Sequence, residues 1–557
     1  MIMDRVLALP LWVHAAALGV VLIALAPSSH PDAIWTADEG AVRVQAEALS
    51  TDGSWALPRP LAHLDPEERS VPIHNAVIDG AVYYPFSKHP ASPLLMAPLE
   101  RLGPAWMIAP MLVAAWIAAW VTGAIGRRWS HRVGVASLWA VGLASPLFLY
   151  GFTVVGHAAG TAFSALAVLG ILLSRSGSRW GLGLTFGALI GASLFRTEAL
   201  LFALALAIAI AIEELLRRRT RGLVAAAVVA AGGVAGYALN TLWETSLAGD
   251  QATLPDSTSG LSTIATRIVD AAWTMTLRPT TTSGVAAALL LFAAGIGAVL
   301  TLAIRRDPNR TGLHVVLAVC AAATAVASLL FAQPVVAGLL VAMPLLAAGL
   351  VAAAPATPAS DSRLLLVASA LYFAAVIVSP AGSGGFQWGG RYLMLALPAL
   401  VPVAIAGLAA LLRTAPRPSR AATIAALVVM SAVLAASSFR ALRDLRTGAD
   451  LFAADLHELV VRTGIDAATG KPLVVSRIEQ LGRLGWQDVR RADFFIVPAD
   501  AFEEYLARIA ADDHPRFGVG HLANDPDDVR LRSLGYEFVD EEPSAVPFVL
   551  LEIVEQP

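Results

Sequence analysis

Runs of 18 or more apolar residues recur along almost the whole chain, and each is long enough to cross about 30 Å of hydrocarbon as a helix. A chain built this way cannot fold around one water-facing core, so a polytopic α-helical membrane protein is expected. Composition agrees: of 557 residues, 57% are hydrophobic and only 15% charged, against about 25% charged in soluble domains. That excludes an ordinary water-soluble enzyme, and a net charge of -3 speaks against a nucleic-acid partner. The single cysteine, Cys320, has no partner for an intrachain disulfide.

Met1 to Ala26 carries Asp4 and Arg5 and then an apolar run. It ends on small residues, as a cleavable signal does. Its balanced start and Pro27 point instead to a retained first helix. Further spans are expected at 104–125, 132–153, 156–174, 181–196, 198–215, 222–242, 284–304, 312–332, 334–354, 363–380, 391–413 and 420–437, about thirteen in all.

The connections alternate in charge. Segments 126–132, 174–179, 217–221, 305–310 and 413–420 are short and rich in Arg, whereas those between them are longer or nearly uncharged. Positive loops favour the cytoplasmic side. The expectation is therefore a multi-pass protein of the cytoplasmic (inner) membrane, N-terminus inside and C-terminus outside. The polar inventory then falls outside, in a loop over about 27–103, a second over about 243–283, and a tail from 438. The tail is acidic and alternates strand-like stretches (KPLVVSRI, DFFIVPAD, PFVLLEIV) with amphipathic helical ones (LFAADLHELVVRTG, ADAFEEYLARIAADD). Residues 1–437 are thus read as a transmembrane domain and 438–557 as an extracytoplasmic α/β domain. No internal repeat, phosphate loop or metal-ligand spacing stands out.

Chemistry-bearing residues collect on the expected outer face. Asp38 and Glu39 follow the first helix; such a pair can serve as a general base, a divalent-cation ligand or an acceptor of hydrogen bonds, or simply favour a helix N-terminus. Lys88, one of only two lysines, sits beside Tyr84 and His89 in VYYPFSKHPASP, either as a phosphate clamp or as a headgroup anchor. Arg196 and Glu198 interrupt apolar sequence in SLFRTEALL, where ionisable residues usually face a cavity or a partner. Arg391, with Trp388 and Tyr392, lies in the glycine-rich turn GGFQWGGRYLML, and a guanidinium fork suits phosphate oxygens. His157 opens the fourth expected span. One acidic pair with several cations at one membrane surface is an inventory for transferring a group from a lipid phosphate.

Four segments carry a resemblance over roughly residues 1–410: the Asp38-Glu39 pair, FSKHPASPLLMAPLERLG, FRTEAL and QWGGRYLM. Together they resemble the GT-C superfamily of integral-membrane glycosyltransferases, in particular the branch of protein O-mannosyltransferases and aminoarabinose transferases with its actinobacterial relatives. The resemblance implies inverting transfer of a hexose or pentose, such as mannose or arabinose, from a polyprenyl-phosphate donor to a hydroxyl of a glycan, lipid or protein in the cell envelope. Asp38 would be the general base, and Glu39 would support it or touch the acceptor. Lys88, Arg196 and Arg391 would hold the departing phosphate, with His89, His157, Glu198, Tyr84, Trp388 and Tyr392 lining the substrate. Where many relatives carry a second acidic residue before the fourth span, this chain has Gly156-His157, so no metal site and no cofactor is assigned. The competing reading is a multi-pass transporter or flippase, which would favour charges at the membrane midplane.

Overall fold

A computed structural model describes residues 2–249 apart from 74–75 and 219, a few positions between 266 and 276, and 338–556 apart from 354–359, 380–389, 414–416, 468, 513, 523–526 and 544–548. The longer helices among the described residues are α1 (Leu11–Leu25), α2 (Ala37–Thr51), α3 (Ala91–Glu100), α4 (Ala109–Gly126), α5 (His131–Leu143), α6 (His157–Arg175), α7 (Trp180–Phe195), α8 (Ala199–Leu216) and α9 (Arg221–Ala248). After them come α10 (Pro344–Ala353), α11 (Ser360–Val378), α12 (Leu397–Arg413), α13 (Arg417–Thr463) and α14 (Phe502–Ala511).

Among the described residues, six stretches are long and apolar enough to cross a membrane: Pro104–Gly126, His157–Arg175, Ala199–Leu216, Gly222–Ala248, Asp361–Val378 and Arg391–Arg413. Each matches an expected span; α1 and α7 are shorter apolar helices. Large apolar side chains such as Val20, Ile23, Ile208, Val224 and Val234 are exposed on these helices, a surface that suits lipid and not water. The stretch expected as one span over 132–153 departs from expectation. Its helix α5 stops at Leu143, because Pro146 disfavours helical geometry in the residue before it, and only a short turn, Leu147–Tyr150, follows. The spans expected at 284–304 and 312–332 lie outside the described residues.

The bundle has two chemically distinct ends. At one, Asp361 accepts from Arg128 and from Arg175 (3.0 Å each), while Arg175 and Arg217 both reach Glu213. The three arginines belong to the Arg-rich connections. About 28 Å away, at 1.5 Å per residue along α6, His157 opens the other end.

The 420–437 stretch is part of α13, whose 47 residues amount to about 70 Å. That is more than twice the hydrocarbon thickness, so one continuous helix carries the chain out to the C-terminal domain. There it stops at Gly464, in the left-handed region at φ 78°. The domain is a five-stranded mixed sheet in the order β5-β4-β6-β8-β7, made of β4 (Leu473–Ser476), β5 (Asp493–Ile496), β6 (Arg516–Leu522), β7 (Glu537–Pro543) and β8 (Val549–Glu555). Helix α14 packs on it through Phe502, Tyr505, Leu506 and Ile509.

The loop over 27–103 is folded too. It holds α2, α3 and a small antiparallel sheet, β1 (Leu57–Pro58), β2 (Val77–Asp79) and β3 (Val82–Tyr84), in the order β1-β3-β2. This loop is clamped to the C-terminal domain. Val71 pairs with Ile496 at the edge of β5. Fully buried Asp65 accepts from Arg59, Ser70 and the Tyr505 hydroxyl. Arg490 bridges to Asp52 (2.6 Å) and Arg69 to Asp500 (2.7 Å).

Candidate active site

Helix α2 begins two residues before the acidic pair's last member. Glu39 turns back over the first turn, its Oε2 accepting from the backbone N–H groups of Trp35 (2.5 Å) and Thr36 (3.0 Å), which is the acidic half of a capping box. Its Oε1 accepts from Val154 N (3.3 Å) and from Arg446 Nη2 (3.0 Å). Arg446, on α13, also donates to the carbonyls of Ser29 (3.1 Å) and Phe152 (2.6 Å). Both side chains of this pair are fully buried. Arg43, one turn further along α2, is buried as well; burial lowers its pKa to about 10, against the opposing pull of Glu39.

Asp38 faces elsewhere and stays about a quarter exposed. Its Oδ2 lies 3.5 Å from Arg391 Nη1 and its Oδ1 lies 3.4 Å from Arg483 Nη1. Gly390, at φ 58°, supplies the left-handed turn that starts the 3₁₀ segment Arg391–Ala396 ahead of α12. Arg391 donates to its neighbour's hydroxyl, Tyr392 Oη, at 2.6 Å. Two cations approach the Tyr392 ring, Arg391 at 4.5 Å and Arg196 at 5.5 Å from its centroid, and the Tyr392 carbonyl accepts from the Tyr372 hydroxyl.

Arg196 ends α7 in an extended conformation (φ −150°, ψ 121°), which takes it out of the helical spiral just before α8. It forks onto Glu198 through Nε (3.1 Å) and Nη2, and its Nη1 donates to His157 Nε2 at 3.4 Å. That donation fixes the His157 proton on Nδ1. Gly160 of α6 leaves room for the Arg196 stem, which would lie 2.6 Å from any Cβ there. His89, at φ 51°, docks through its own N–H onto Glu244 of α9 (2.7 Å) and through Nε2 against the Thr197 hydroxyl (3.3 Å). Burial first, and then the nearby Arg196 and Lys88 charges, push its pKa down to about 3, so this imidazole is neutral.

The structure therefore gathers Asp38, Arg391, Tyr392, Arg196, Glu198, His157 and His89 at one end of the bundle. It sets Glu39 into a separate buried ion pair. Lys88 is exposed, within electrostatic reach of His89 and with no hydrogen-bond partner among the described residues. Tyr84 is half-buried in β3, opposite Val77. Trp388 lies outside the described residues. Sequence reasoning missed Arg446, Arg483 and Glu244. Glu244 alone left a signal, as a lone acid at the end of the apolar run that becomes α9.

Among the described residues, no group of three or more His, Cys, Asp or Glu is arranged to hold a metal ion. A cavity of about 170 Å³ shares no residue with the cluster. It lies between Leu57, Pro60 and Tyr83 of the loop and Lys471, Arg490 and Asp493 of the C-terminal domain.

Fold and site together define a polytopic helical protein with an outlying α/β domain and a carboxylate–guanidinium cluster where the two meet. Two solved structures align over nearly the full length. One is ArnT from Cupriavidus metallidurans in the apo state, at 12% identity and TM-score 0.46, covering 97% of this chain and 98% of that one. The other is ArnT from Cupriavidus metallidurans bound to undecaprenyl phosphate, at 15% identity, the same TM-score and the same coverage. No family model matches the sequence, and no curated protein matches it.

Proposed function

We propose that the protein is a membrane glycosyltransferase that moves a sugar from a polyprenyl-phosphate donor to an acceptor hydroxyl at the outer surface of the cytoplasmic membrane. The observation that carries this reading is the meeting of partly exposed Asp38 with Arg391, and of Arg391 and Arg196 on the ring of Tyr392, at the bundle end. Asp38 Oδ2 takes the proton of the acceptor hydroxyl. The freed oxygen attacks the anomeric carbon from the face opposite the leaving group, and the bond from that carbon to the phosphate oxygen breaks. The polyprenyl phosphate departs with the electron pair, and its added negative charge is met by Arg391 and Arg196.

Lys88, exposed at the mouth, approaches the same phosphate from the side. Glu198 and His157 hold Arg196 in place, and Glu39 holds the first turn of α2. His89, Tyr84, Trp388 and Tyr392 line the substrate. In this reading residues 1–437 form the catalytic transmembrane part and 438–557 an outer domain, with the Asp361–Arg175 end facing the cytoplasm. The donor sugar is a hexose or pentose. The acceptor is a hydroxyl on a glycan, lipid or protein.

The test offers the purified full chain a panel of polyprenyl-phosphate hexoses and pentoses and follows release of polyprenyl phosphate. One donor is consumed by the parent protein, and Asp38→Asn loses at least a hundredfold in transfer while still binding that donor. Unchanged transfer in Asp38→Asn removes the general base. Failure of every donor with a folded parent leaves transport of a lipid-linked or small solute as the better reading.

A further inference from the structure

Each oxygen of Asp38 faces a different guanidinium, and the two come from different parts of the fold. Arg391 belongs to the membrane bundle, while Arg483 is in the C-terminal domain, in the short turn Leu481–Leu484 that follows β4. Arg483 is almost wholly buried (4% exposed). Burial lowers its pKa, with the Asp38 charge and Glu479 opposing.

Its place is enforced by backbone contacts. A Cβ on Gly40 of α2 would fall 2.2 Å from the Arg483 carbonyl oxygen, and one on Gly482 would fall 2.2 Å from the Pro72 carbonyl oxygen. The turn is thus wedged between α2 and the loop's Pro72–Ile73 segment, in a gap that only glycine permits. Two residues further on, Trp486 lies under Arg43 of α2, 5.2 Å from ring centroid to guanidinium.

We infer that Arg483 is the positioning residue for Asp38: from the domain side it tethers Oδ1 and holds the carboxylate ionised, with Oδ2 turned to the Arg391 side, where the donor phosphate would bind. This rests on the general-base reading of Asp38. Under that reading the phosphate engages Arg391, whose Nη2 and ring contacts are on the donor side with Tyr392 and Arg196. Arg483 comes from the opposite, domain side and stays. The C-terminal domain is then an obligatory part of the site.

Other charged or titratable groups also surround Asp38. His89 and Tyr150 lie within its electrostatic reach, and Glu479 lies near Arg483. Glu39 and Arg43 occupy the buried side of the same helix, with Arg446 of α13 set against Glu39. The two guanidiniums set against its oxygens favour the ionised carboxylate.

The test is the pH profile of kcat/KM for the consumed donor, measured with the full chain. A cation within about 4–6 Å lowers a carboxylate pKa by about 1–3 units. Arg483→Gln should therefore move the acid limb up by about one unit, lower kcat, and leave KM for the donor near the parent's. Arg483→Lys restores the limb toward the parent position. Gly40→Ala alters no side chain of the cluster but pushes the turn away, and gives the same upward movement. If Arg483→Gln does not fold, Gly40→Ala and Arg483→Lys carry the measurement. An acid limb unmoved in every variant that folds, with Asp38→Asn inactive, overturns the role of Arg483 and leaves Asp38 as base. Full transfer by Asp38→Asn overturns both.

Discussion

Replacing Arg446 by Met tests the buried pair that anchors the first turn of α2. The substitution keeps most of the side-chain volume and removes the cation from a site with no solvent exposure. It also withdraws donors from the carbonyls of Ser29 and Phe152. Removing one member of a buried pair typically costs about 3–5 kcal/mol, because the remaining charge stays uncompensated. Here Glu39 keeps three backbone N–H donors, those of Trp35, Thr36 and Val154. The loss should lie at the low end, about 3 kcal/mol. Glu39→Gln should cost a similar amount, since it leaves Arg446 buried with only two carbonyls. The double variant should be less unfavourable than the sum by about 2 kcal/mol, as no charge is then stranded. Equilibrium unfolding in mixed micelles with increasing SDS gives all three values. Single losses under about 1 kcal/mol, additive in the double variant, would refute a charge-paired anchor.

Other perturbations have defined outcomes. The folded-state pKa of His89 is about 3, below its ordinary 6.5, so the unfolded chain binds the extra proton between those values and stability falls as pH drops through that window. The slope approaches about 1.4 kcal/mol per pH unit for this group, and His89→Gln should lack it when unfolding is followed from pH 6.5 to 5. In the clamp between loop and domain, Asp65→Asn should cost about 3 kcal/mol, because Asp65 is a fully buried charge paired with Arg59. Arg508→Ala at the exposed Glu67 pair should leave unfolding unchanged. Gly170→Leu should weaken the α6–α7 contact by about 1–3 kcal/mol, since a Cβ there already falls 2.5 Å from Thr185 Oγ1, whereas Gly183→Leu faces open space and should be tolerated.

How much of this could be read in advance depends on how each residue announces itself. Arg196, Glu198 and Arg391 stand out because ionisable groups in apolar sequence demand a partner, and they do meet at one bundle end. Six spans were legible for the same reason, since length and apolarity alone specify them. The break at Pro146 needed only the rule that a helix rarely continues through the residue before proline.

Other features were out of reach. Strand β6 reads RFGVGHL, and its two glycines argue against a strand. They are tolerated because the backbone passes close to α13 and the Arg483 turn: Cβ atoms at Gly518 and Gly520 would meet Leu459 and Leu481 at about 3 Å. Strand β7, EFVDEEP, is an acidic edge that ends in proline. Arg446 lies 407 residues from Glu39 in sequence and Arg483 lies 445 from Asp38. No local pattern encodes such partners, and only the tertiary path of α13 and the fold of the tail deliver them.

The fate of the acidic pair shows why spacing alone could not divide the labour. Consecutive residues on an α-helix point about 100° apart, so Asp38 and Glu39 cannot both face one pocket. Glu39 points into the seam between α13, the Ser29 turn and Phe152, where its two oxygens are taken up by Arg446 and three backbone N–H groups. Asp38 points to the junction of bundle and domain and keeps solvent access. Under the proposed reading, only the second can meet an acceptor hydroxyl without first breaking a buried ion pair. The stability variants at Glu39 and Arg446 and the pH-profile variants at Asp38 and Arg483 should therefore separate cleanly. The first pair should act mainly on unfolding, and the second on the protonation state in which the protein turns over.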